Sequence, residues 1–75
     1  MKTVIEILTS LRPEFDFAAS EDFIADGMLD SYDVITLVSE LDKTYGISIA
    51  GVDIVPENFS NIAAIEQIVQ KYEKR

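Results

Sequence analysis

The run Ile47-Ser48-Ile49 alternates in the manner of a strand, yet this chain of 75 residues offers no second convincing strand to pair with it. A lone strand cannot form a sheet, so this run reads as an extended connector and the fold must be built from helices. The rest of the apolar pattern agrees. Thr3 and Glu6 have the spacing of a capping box, and Val4, Ile5, Leu8 and Leu11 follow on one face at helical period. Pro13 disfavours helical geometry at Arg12, which places the first helix near residues 4 to 12.

From Glu14 to Asp30 there is no clear period. Phe15, Phe17, Phe23, Ile24, Met28 and Leu29 are scattered among acids, and Gly27 permits a positive-φ turn. The stretch exceeds the usual connection length and is expected to be an ordered loop pinned to the core by its apolar side chains. Asp30 is a good N-cap, and Asp33 adds a carboxylate to the first turn, where the helix dipole favours it. A second helix is predicted over about 31 to 45, with Val34, Leu37, Val38, Leu41 and Tyr45 as its core stripe and Gly46 as its left-handed stop. A short helix or turn between Val52 and Asn58 is limited by Pro56. Ser60 or Asn61 caps a last helix from Ile62 to about Tyr72, striped by Ile62, Ile65, Ile68, Val69 and Tyr72, with Lys71, Lys74 and Arg75 suited to its negative end. The expectation is an all-α, small four-helix bundle of three main helices and one short one, a single domain over residues 1–75.

Composition enters where function is concerned. Fourteen Asp and Glu against six Lys and Arg give a net charge of −8, which repels phosphate backbones and anionic lipid surfaces and favours partners with basic docking patches. There is no cysteine and no histidine, so thiolate metal sites, a Cys nucleophile and the commonest general base are all missing. The acids between Asp22 and Asp33 do not have the ligand spacing of a calcium-binding loop. No apolar stretch approaches the length of a membrane span, and the N-terminus lacks the run of a signal peptide, so the expectation is a cytoplasmic, monomeric protein that is not itself an enzyme.

Nine acids and no base lie between Pro13 and Asp42, marking this half as the candidate contact surface. On the second helix, Ser31, Ile35, Ser39 and Asp42 share a stripe beside the core stripe, off the buried face. Ile35 fits either partial burial under the long loop or contact with a partner. Ser31 has an ordinary explanation as a helix-start residue, and no neighbouring His or Lys could activate it as a nucleophile. A phosphate ester on it, however, would meet the positive end of the helix dipole, favoured locally although the chain is acidic.

Gly27-Met28-Leu29-Asp30-Ser31, followed by Val34, Leu37, Val38, Leu41 and Tyr45-Gly46-Ile47, resembles the acyl carrier proteins. The resemblance extends over the capped first helix, the long loop, the Ile47-Ser48-Ile49 exit and the Pro56-Glu57-Asn58-Phe59-Ser60-Asn61-Ile62 approach to the last helix. It implies a 4′-phosphopantetheine arm attached covalently to Ser31 by a phosphopantetheinyl transferase, using coenzyme A and magnesium. The arm's thiol would carry acyl or aminoacyl intermediates as thioesters, loaded by an activating ligase and delivered to synthase enzymes. By the same resemblance Asp30 helps position the transferase, and Tyr32, Ile35, Ser39 and Asp42 occupy docking positions. The chain departs from the fatty-acid carriers at Tyr32, where leucine is usual, at Thr36 and Lys43, often acidic, and at Ser39, often a larger apolar residue. These departures point toward a carrier serving amino-acid activation or secondary metabolism. An alternative of a different class is an unmodified acidic helical adaptor that binds a basic partner through the second helix.

Overall fold

A computed structural model describes residues 3–73. Helix α1 (Val4–Leu11), α2 (Ser31–Tyr45) and α3 (Ile62–Glu73) surround one core, and no strand occurs among the described residues. Lys74 and Arg75, expected to complement the end of the last helix, lie outside the described residues.

Each α-helix begins where its side chains can satisfy the first free N–H groups. In α1 the Thr3 hydroxyl accepts from the Glu6 N–H at 3.3 Å, and the Glu6 carboxylate accepts from the Thr3 N–H at 2.9 Å, completing the capping box. The Asn61 side chain accepts from the Ala64 N–H at 2.8 Å at the start of α3, so of the two expected caps Asn61 serves. Helix α2 stops at Gly46, whose φ of 65° is the left-handed geometry that a residue without Cβ adopts at least cost.

The core is where the periodicity places it, with one shift. Val4, Ile7 and Leu8 are the buried residues of α1, while Ile5 and Leu11 are only half-buried. Leu37 and Leu41 of α2 and Ile65 of α3 are fully buried, and Ile47 and Ile49 carry the connector inward as extended chain. The long segment after α1 is ordered by its aromatics. Phe17, on a single 3-10 turn (Phe17–Ala19), packs edge-on against Phe23 with ring centroids 5.0 Å apart, and both rings are fully buried. The Phe23 N–H donates to the Ser60 carbonyl at 2.6 Å, and the Phe23 carbonyl accepts from Met28 at 2.9 Å and Leu29 at 3.3 Å. Gly27, at φ 72°, makes the turn that brings Met28 and Leu29 back to the core.

The expected short helix between Val52 and Asn58 is two 3-10 turns, Gly51–Asp53 and Pro56–Asn58. Pro56 supplies no N–H and opens the second turn, so a continuous helix cannot run through it.

Candidate functional site

The start of α2 is built from three carboxyl and guanidinium side chains, and its geometry settles what Ser31 does not do. Asp30 is the N-cap: its Oδ1 accepts from the Asp33 N–H at 2.9 Å. Asp33 Oδ2 returns the bond by accepting from the Asp30 N–H at 3.2 Å. Ser31, the first residue inside the helix, is exposed, and its hydroxyl makes no hydrogen bond with any described residue. The capping explanation for a serine here is thereby removed, because the aspartates already perform it.

Asp33 does more than the dipole role read from the sequence. It is buried, and its Oδ2 accepts from Arg12 Nε at 3.1 Å and Nη2 at 2.9 Å. Arg12 also donates to Glu14 at 3.3 Å and stands at the end of α1, its N–H bonded to the Leu8 carbonyl. Burial pushes the Asp33 carboxyl up, but the Arg12 hydrogen bond, the Asp30 N–H and the guanidinium charge outweigh it and leave the group below its ordinary value. The fork of Arg12 therefore bolts the first turn of α2 to the end of α1 and holds the serine's helix terminus in place. Nothing local in the sequence signals this pairing, which spans 21 positions.

Beside Ser31 lies an apolar groove of about 290 Å³, lined chiefly by Ile24, Leu29, Val34, Ile35, Ile54 and Val55, with Asp30 and Ser31 among its lining residues. Its far wall is the segment of 3-10 turns, held to α3 by Asp53. The Asp53 carboxylate accepts from the Tyr72 hydroxyl and from Lys71 Nζ at 2.9 Å, and the Tyr72 oxygen accepts from the Ala50 N–H at 3.1 Å. These two donors, Tyr72 first, keep the Asp53 carboxyl below its ordinary value. The groove residues on this wall, Ile54 and Val55, went unread as site residues because they meet Ser31 only through the path of the connector.

Of the residues expected to form the site, Asp30, Ser31 and Ile35 are brought together along the groove, with Ile35 largely exposed yet lining it. Tyr32 and Ser39 are exposed on the outward side of α2. Asp42 is different from its expectation as a free surface charge. It is half-buried, and its Oδ1 accepts from the Ile49 N–H at 3.1 Å while its carbonyl accepts from Ile47 at 3.1 Å, so its carboxylate ends the helix and turns the connector into the core.

The arrangement is a small helical scaffold that presents an uncommitted hydroxyl at a helix N-terminus, flanked by a capping acid and an apolar groove. That is the layout of an attachment site. The sequence matches the family described as "Phosphopantetheine attachment site" over residues 2–69, and the chain belongs to that family. Carrier domains of this family are non-catalytic; they are modified by phosphopantetheinyl transferases and interact with synthase enzymes. No curated protein and no solved structure matches the chain.

Proposed function

We propose that this chain carries acyl or aminoacyl intermediates on a 4′-phosphopantetheine arm joined to Ser31 Oγ, and that it passes them between partner enzymes. The observation that carries this reading is the idle hydroxyl: Ser31 is exposed at the start of α2 while Asp30 and Asp33 do the capping. The residues present fit the arm. A phosphodiester on Ser31 meets the positive end of a 15-residue helix, and the groove lined by Ile24, Val34, Ile35 and Ile54 offers apolar cover beside it. The arm supplies a thiol, which a chain without cysteine does not encode. Asp30 keeps the first turn of the helix formed, and Arg12 through Asp33 keeps that turn in place.

The cargo reading is supported by the outward side of α2. Tyr32, Thr36, Ser39 and Lys43 are all exposed there, and none is acidic. This favours a carrier serving amino-acid activation or secondary metabolism over one serving the central fatty-acid system.

Incubation with coenzyme A, magnesium and a promiscuous phosphopantetheinyl transferase is expected to add one arm to the intact mass, and Ser31→Ala is expected to add none. Wild-type protein that stays unmodified beside a competent control carrier would sink the proposal. Binding of a basic partner indifferent to Ser31→Ala would then favour the acidic adaptor.

A further inference from the structure

The far wall of the groove beside Ser31 belongs to a segment with no buried residue. None of residues 50–58 is buried, while Ile49 before them and Phe59 after them are. Both flanks are also tied down by hydrogen bonds: the Ile49 N–H donates to Asp42 Oδ1 at 3.1 Å, and the Ser60 carbonyl accepts from the Phe23 N–H at 2.6 Å. Between these anchors the segment is braced chiefly within itself. Ile54 donates to the Gly51 carbonyl at 3.1 Å, Asn58 to the Val55 carbonyl at 3.0 Å, and the Asn58 side chain to the Asp53 carbonyl at 2.9 Å.

Among the described residues, the hydrogen bonds that join this segment to a helix all come from the end of α3. The Tyr72 hydroxyl donates to the Asp53 carboxylate and accepts from the Ala50 N–H, so one side chain holds both the start of the segment and its middle. Lys71 Nζ donates to the same carboxylate at 2.9 Å. The two donors are unequal. The Lys71 side chain is 60% exposed, and an ion pair so wet contributes little. The Asp53 side chain is only 19% exposed and Tyr72 packs against the core, so the bond between these two is shielded from water and carries the contact. Ile54 and Val55, which close the groove, follow directly after Asp53.

A stretch with no buried residue, held between fixed ends, opens at lower cost than helices that share a core. We infer that residues 50–58 form a strap that lifts as one unit from fixed ends at Ile49 and Phe59, and that the bond from Tyr72 to Asp53 is the latch that keeps it down over the groove. Access to the groove is then governed from the far end of α3, by side chains that are not part of its lining. Lifting the strap leaves the Asp30 cap, the Arg12 fork and Ser31 in place, because none of them is bonded to it. This is a property of the chain itself and holds whether or not Ser31 bears an arm.

The chain has no cysteine, so a single introduced thiol reports its own exposure. Three variants are labelled with N-ethylmaleimide under native conditions, each with and without Tyr72→Phe, which keeps the ring and removes the hydroxyl. Ile54→Cys reports the strap, and Val34→Cys reports the α2 wall of the groove, where the valine is buried. Val38→Cys, one turn further along α2, is also buried but lies outside the groove. Tyr72→Phe is expected to speed labelling of Ile54→Cys and Val34→Cys about tenfold, the change in open population that follows from losing a hydrogen bond to a charged acceptor. Val38→Cys should label at an unchanged rate. Asp53→Ala releases the latch from the strap side without touching α3 and should give the same pattern, which keeps the test available if Tyr72→Phe fails to fold. Equal acceleration of all three thiols by Asp53→Ala would mean that the contact only supports the fold as a whole, and no acceleration at Ile54→Cys or Val34→Cys would mean that nothing is latched. Either result overturns the inference and leaves the carrier reading untouched.

Discussion

Asp33 and Asp42 sit on the same helix, and the fold removes both from the pool of free surface charge by different means. Asp33 is buried under the Arg12 fork, and Asp42 closes the α2 terminus by accepting from Ile49. Because the folded Asp33 carboxyl lies below its ordinary value of 3.8, its stabilisation is present above that pH and is lost as pH falls through the folded value. Asp53, also lowered, loses its contribution in the same direction. Thermal melts followed against pH should therefore show a steep acid limb below about pH 4, the ordinary carboxylate range. In Asp33→Asn that limb becomes shallower and leaves the part due to Asp53; an unchanged limb would mean that the Arg12 pair adds nothing. Asp42→Ala leaves the Ile49 N–H without its acceptor and should cost about 1 to 2 kcal/mol in denaturant unfolding. Both residues were legible as acids on α2. Their partners were not, since hydrogen bonds to Arg12 and Ile49 depend on where two other segments pass.

At the level of elements, α2 carries the molecule. Its capped start, its stripe of Val34, Leu37, Val38 and Leu41, and its glycine stop are all written within a few residues of where they act, which is why its boundaries could be read directly. Leu41 is fully buried, so Leu41→Ala should cost about 2 to 5 kcal/mol in urea unfolding, a large part of what a domain of this size has. Retention of wild-type stability in this variant would place the core elsewhere. The weaker reading was the stretch after Gly46. Residues 51–58 were legible as short and proline-limited, but not as two 3-10 turns clamped to α3 by Asp53 and Tyr72. The groove beside Ser31 has one wall from α2 and the other from this clamp. It exists only because the two elements meet.

For the whole molecule, charge and shape pull apart. Apart from Glu14, which pairs with Arg12, the exposed acids before α2 form no ion pair with a base among the described residues and repel one another, while Arg12 also pairs with Asp33 and Lys71 with Asp53. Added salt should therefore raise the melting temperature at neutral pH by screening the repulsion, and a melting temperature flat with salt would show that the repulsion is negligible. By itself the sequence determined the helices, the cap at Asp30 and the position of Ser31 inside the first turn, because each rests on neighbours no more than four residues apart. Only the tertiary structure decided which acids remain free, that Ser31 opens onto an apolar groove, and that Tyr32 and Ile35 face solvent. Those properties depend on segments remote in the chain coming to lie side by side, and periodicity carries no record of which ones do.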